Sequence, residues 1–79
     1  MNITIEYYGR LQDSFGNNSE KTETTGSTLL DVFQQQCQKH QLDLSVDDIR
    51  PVINDSFAEW SDHCQEGDVI GFLPPAAGG

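Results

Sequence analysis

From Asn2 to Tyr8 apolar and polar residues alternate. Ile3, Ile5 and Tyr7 fall on one side, and Thr4, Glu6 and Tyr8 on the other. The alternation predicts a half-buried strand, and Tyr8 places an aromatic ring on its polar face. Gly9 ends the strand. Residues 10–15 predict one or two helical turns closed by Gly16, followed by a turn at Asn17-Asn18. Ser19 to Thr25 is polar but threonine-rich. It predicts a second strand, antiparallel to the first and exposed on one side. After Gly26 the period changes. Leu29, Phe33 and Cys37 recur at intervals of four, with Leu30 and Val32 beside them, which describes one apolar face of a helix over about 28–40. Gln34, Gln35, Gln36, Gln38 and Lys39 fill much of the remainder. Thr28 stands three residues before Asp31, a capping-box pattern for the helix start.

Residues 41–50 read as a polar, acidic connection. Pro51-Val52-Ile53 predicts a short strand opening on proline, as an edge or first-position strand can. Asn54-Asp55-Ser56 is a turn, and 57–60 a short extended piece carrying Phe57 and Trp60. Gly67-Asp68 is a tight turn before a last apolar strand, Val69 to Leu73. The order predicts an α+β domain in which a mixed sheet packs on one main helix. The first and last strands, the most apolar, pair in parallel. The domain is expected over 1–73, with an extended tail over 74–79.

A chain of 79 residues makes one domain and buries only about 60% of its unfolded surface. That leaves little scaffold for a deep pocket with its own catalytic constellation. Acidic residues number 13 against 4 basic, a net charge of −9. The balance argues against nucleic acid and against anionic membrane surfaces, and it suits a basic protein partner. No apolar run approaches the roughly 20 residues of a membrane helix. Cys37 and Cys64 form no metal-type spacing. With no leader ahead of the first strand, the expectation is a cytoplasmic protein with two reduced thiols, although sequence leaves a Cys37–Cys64 disulfide open.

The tail is the chemical oddity. Pro74-Pro75-Ala76-Ala77-Gly78-Gly79 follows the last strand directly. The prolines stiffen the exit from the strand and remove donors. Two glycines add nothing to a core, but they offer a thin, unhindered α-carboxylate. Six extended residues reach roughly 20 Å, enough to carry that carboxylate into another protein's active site.

The run from Gly67-Asp68 through Val69-Ile70-Gly71-Phe72-Leu73 to Pro74-Pro75-Ala76-Ala77-Gly78-Gly79 resembles the C-terminal signature of the small subunit of molybdopterin synthase. Upstream, Tyr7-Tyr8-Gly9-Arg10-Leu11, Thr28-Leu29-Leu30, Val52-Ile53-Asn54 and Asp62 to Asp68 are similar to that family's first strand, helix start, short strand and approach to the final turn. Two positions depart. Gly71 replaces a small apolar residue, which weakens the last strand, and Ala76 stands where valine is common. The resemblance implies a ubiquitin-like, β-grasp sulfur carrier with no catalytic side chain or bound cofactor of its own. An adenylating enzyme would use ATP and Mg²⁺ to activate the Gly79 carboxylate, and a sulfur donor would convert it to a thiocarboxylate. The tail, Pro74, Pro75, Ala76, Ala77 and Gly78 before Gly79, would enter the large subunit of a heterotetramer. There sulfur would pass to cyclic pyranopterin monophosphate.

Tyr8, Phe57 and Leu73 each stand where alternation, or the family's pattern, turns an apolar group outward. They are expected to form one docking patch for the large subunit and the adenylating enzyme. Trp60 belongs either at the edge of that patch or over the core. His40 and His63 read as helix-end or surface histidines, and Cys37 and Cys64 as buried thiols. Three other readings compete: a ubiquitin-like modifier joined to lysines through Gly79, a sulfur carrier for thiazole or tRNA, and a plain interaction domain with an inert tail. The Pro-Pro pair favours the molybdopterin branch over the first two.

Overall fold

A computed structural model describes residues 1–74; the expectations for Pro75 to Gly79 lie outside the described residues. The fold is a ubiquitin-like β-grasp, a five-stranded mixed sheet holding one main helix. Strands β1 (Asn2–Tyr7), β2 (Ser19–Glu23), β3 (Arg50–Ile53), β4 (Ser56–Phe57) and β5 (Val69–Leu73) are joined by helices α1 (Leu11–Phe15) and α2 (Leu29–Lys39). The strand order is β2-β1-β5-β3-β4. β1 and β5 run parallel, with Thr4 opposite Val69 and Tyr7 opposite Phe72, and the other pairs are antiparallel. The crossover that parallel pairing requires contains α2.

Period-two alternation sends Ile3, Ile5 and Tyr7 of β1 and Ile70 and Phe72 of β5 to the inner face, where all are buried. Leu29, Val32, Phe33 and Cys37 of α2 cover them. Phe33 meets Phe72 edge-on at 5.1 Å between ring centroids. Trp60 stacks on Phe72 at 5.9 Å, so it closes the core and takes no part in the outward patch. The helix begins with the expected capping box: Asp31 N–H donates to Thr28 Oγ1 at 3.2 Å, and Asp31 Oδ2 accepts from Thr28 N–H at 3.3 Å. The next free helix donors are satisfied from the neighbouring loop, Leu29 N–H by Asp62 C=O and Leu30 N–H by Trp60 C=O.

Three local expectations change. Gln36, expected on the polar helix face, is fully buried. Its amide donates to the Tyr7 hydroxyl at 3.1 Å, and that hydroxyl donates to Glu20 at 3.1 Å. Glu20 in turn accepts from Lys39 at 2.8 Å and meets His40 Nε2 at 2.9 Å, which ties the end of α2 to edge strand β2. Next, the 41–50 connection is more than a polar link. A 3-10 turn, Val46–Asp48, brings Leu42, Leu44 and Val46 against the core and buries Ile49. Finally, the 57–60 strand stops at Phe57. Ala58 N–H donates to Pro51 C=O, but Pro51 has no N–H to return, so the ladder ends there. Both thiols are free and buried, and burial pushes each above the ordinary cysteine value.

Candidate functional site

The register that buries one face of the sheet sets out the other. On the outer face, Tyr8 follows the end of β1, Gly71 and Leu73 lie on β5, Arg50 and Val52 on β3, and Phe57 on β4. The expected patch residues come together. Tyr8, Phe57 and Leu73, with Val52 and Asp55, line one shallow hollow of about 180 Å³. Phe57 is 70% exposed, the single large apolar side chain so exposed among the described residues.

Both aromatic walls are held. The Tyr8 hydroxyl donates to Glu6 Oε1 at 2.7 Å, and this bond holds its proton above the ordinary phenol value. The Arg50 guanidinium carbon lies 4.8 Å from the Phe57 ring centroid. Gly71 has a purpose the sequence did not disclose. A Cβ there would come within 2.9 Å of Tyr8 Cε2, so the ring lies across β5 where the strand has no side chain. Asp55 reaches the hollow from a two-residue hairpin turn in which Asn54 and Asp55 both have positive φ, 48° and 72°. Asn54 fastens that turn to the one before β5. Its Nδ2 donates to Asp68 Oδ1 at 3.1 Å, and its Oδ1 accepts from Val69 N–H at 3.0 Å.

The hollow adjoins the root of the tail. Leu73 ends β5 opposite Arg50, and Tyr8 N–H donates to Phe72 C=O at 3.3 Å. Pro74 then lies over Gly9, whose φ is +57°; a Cβ on Gly9 would stand 3.0 Å from Pro74 Cγ. Pro74, the last described residue, therefore lies beside the patch, at the end of the sheet where β1 and β5 finish. The two histidines lie elsewhere. His40 packs edge-on to Phe15 at 5.3 Å, and His63 bridges to Thr28 beside the helix start. Among the described residues no cluster of His, Cys, Asp and Glu could hold a metal ion, and no helix is long and apolar enough to cross a membrane.

Val52, Asp55, Gly71 and Arg50 escaped the sequence reading as parts of this surface. The two-residue Asn-Asp turn was a usable signal for the hairpin, whereas the β3–β5 register that aligns Val52 with Gly71 was not visible in the chain.

The sequence model of the ThiS family matches residues 5–79. The chain belongs to the ThiS family. Proteins of this family are ubiquitin-like sulfur carriers, small partner proteins without catalytic machinery. No curated protein matches the chain. Among solved structures, SAMP1 of Haloferax volcanii superposes with a TM-score of 0.81 at 19% identity, over 100% of both chains. A Pyrococcus furiosus protein described as a candidate molybdopterin converting factor, subunit 1, gives 0.79 at 21% identity, over 96% of this chain and 99% of that one. In a complex of subunits 1 and 2 of the molybdopterin-converting factor from Helicobacter pylori, the likeness gives 0.69 at 20% identity, over 100% of both chains. At these identities the likeness establishes the β-grasp fold.

Proposed function

We propose that this chain is the sulfur-carrier subunit of a molybdopterin synthase. The observation that carries the reading is the joining of an outward apolar hollow to the root of a Pro-Pro…Gly-Gly tail. A carrier must be gripped by its body while its end enters another protein's active site, and this arrangement puts the grip next to the exit. The molybdopterin-converting-factor likeness and the Pro-Pro pair support this branch of the family.

The Gly79 carboxylate is a poor electrophile at neutral pH. An adenylating partner, using ATP and Mg²⁺, joins one carboxylate oxygen to the α-phosphate of ATP and releases pyrophosphate. A sulfur donor then attacks the acyl carbon, AMP leaves with that oxygen, and the terminus becomes a thiocarboxylate. Glycine leaves the attacked carbon unhindered, and Gly78 lets the backbone thread a narrow channel. The large subunit receives the tail and supplies the acids, bases and oxyanion donors for transfer to cyclic pyranopterin monophosphate. Tyr8, Phe57 and Leu73 dock on that subunit and on the adenylating enzyme.

Reconstitution with the adenylating enzyme, sulfide, the large subunit and cyclic pyranopterin monophosphate tests the reading. Deleting Gly79 draws the carboxylate back by up to ~3.5 Å, and misplacement by about 1 Å at a reacting atom costs on the order of 100-fold. The shortened chain is expected to give almost no dithiolene product; product formed at the full-length rate refutes the reading. The likeness to SAMP1, a small archaeal modifier protein, favours a second reading in which Gly79 is joined to lysines of target proteins. Isopeptide-linked conjugates formed with the full-length chain and absent without Gly79 would select it.

A further inference from the structure

The hollow is not simply apolar. Its lining combines two aromatic rings, Tyr8 and Phe57, with one carboxylate, Asp55. A second carboxylate, Glu6, is fixed at the Tyr8 hydroxyl. Its volume of about 180 Å³ is below the roughly 300–1,000 Å³ of free-ligand pockets and suits a single side chain. The Phe57 ring already carries the Arg50 guanidinium at 4.8 Å, so its environment accepts a cation against the π-face.

Asp55 is conformationally out of place. At φ +72° it holds the second position of a two-residue turn where glycine would be unstrained. Both ion pairs among the described residues belong to Glu20, and no side-chain hydrogen bond among them involves Asp55. The side-chain hydrogen bonds that fasten this turn come from Asn54. A strained residue with an idle charge, set in the wall of a concavity, points to a role outside the fold.

We infer that the hollow receives an arginine or lysine side chain of a protein partner, its stem against the Tyr8 and Phe57 rings and its charged end at Asp55. This rests on the outer face being the docking face. An aliphatic occupant would fill the volume but strip water from Asp55 without replacing it. A long cationic side chain satisfies both parts, with methylenes on the apolar walls and a head at the wet rim. The net charge of −9 adds attraction toward a basic partner surface and steers the encounter.

The test is an amide-detected NMR titration of the full chain with N-acetyl-arginine methylamide, and with N-acetyl-leucine methylamide as comparison. The arginine probe is expected to shift Tyr8, Val52, Asp55 and Phe57 saturably and to bind more tightly than the leucine probe. Asp55→Asn should weaken arginine binding about threefold, the size of one solvent-accessible ion pair, and leave leucine binding unchanged. Asp55→Gly separates recognition from folding: it removes the strain, so the unfolding midpoint holds or rises while the arginine response falls. Leucine binding as tightly as arginine, an unchanged arginine affinity in Asp55→Asn, or shifts absent from these residues each overturn the inference. Phe57→Asp tested against the large subunit probes the docking face itself. Loss of that binding without any arginine preference rejects the cationic occupant and leaves the docking face standing.

Discussion

The two faces of the sheet are built from the same strands, residue by residue in alternation, yet do opposite work. Inside, Ile5, Tyr7, Ile70 and Phe72 are closed over by α2 and exchange almost nothing with water. Outside, Tyr8, Val52, Phe57 and Leu73 form a wet hollow that the fold leaves uncovered. Polar groups follow the same division. Glu20 accepts hydrogen bonds from Tyr7 and Lys39 and meets His40, so its charge is spent on holding β2 to α2. Asp55 faces the hollow with no such partner among the described residues. The inner face specifies the fold, and the outer face is left uncovered, as the proposed docking role requires. Substitutions should therefore separate cleanly into those that unfold the protein and those that disarm it.

Phe33→Ala should act most strongly. Phe33 is 1% exposed and touches Phe72 and Trp60, so truncation is expected to cost about 3–5 kcal/mol by urea unfolding, a large share of a small domain's stability. Phe57→Asp should do the reverse. Affinity for the large subunit, measured by calorimetry, is expected to fall by about 2 kcal/mol, while stability stays within about 0.5 kcal/mol of the parent. An outer-face change that unfolds the chain would contradict this division between the two faces.

Glu20→Gln sharpens the inner side. Burial raises the Glu20 pKa, but the hydrogen bonds from Lys39, His40 and Tyr7 outweigh it and hold the carboxyl below its ordinary 4.5. A folded-state value below the unfolded one contributes stability that is present above 4.5 and lost as pH falls through the lower value. The variant is thus expected to be about 1 kcal/mol less stable at neutral pH. The gap should close in acid, and a gap constant with pH would contradict the assignment. Smallest is Gly71→Ala. The added Cβ displaces the Tyr8 ring, so binding to the large subunit should weaken by about threefold, or ~0.7 kcal/mol, with stability little changed. Alanine raises strand propensity at that position, so a loss of binding would isolate the ring's placement as the cause.

Much of this was legible in the chain because period alone carries it. The alternation in Asn2–Tyr7 and the four-residue spacing of Leu29, Phe33 and Cys37 give the layers, and the two most apolar runs are the central parallel pair. The outward positions of Tyr8 and Leu73 follow from the same alternation, and the resemblance to the molybdopterin synthase small subunit reinforces them. Gln36 was misplaced because helix spacing puts it beside the apolar stripe, and only the Tyr7 hydroxyl across the core explains its burial. The same limit hid the pairing of Gly71 with Tyr8 and with Val52. These are contacts between strands far apart in sequence, and registers set by hydrogen bonding leave no local trace.

In the proposed function sulfur is carried at Gly79. The most direct measurement is the intact mass of the chain after incubation with ATP, Mg²⁺, the adenylating enzyme and sulfide, followed by fragmentation of the C-terminal peptide. The expected result is a mass gain equal to the exchange of one oxygen for one sulfur, confined to Gly79, dependent on ATP and absent when Gly79 is deleted. An unchanged mass with active partners, or sulfur found on Cys37 or Cys64 instead, would contradict it.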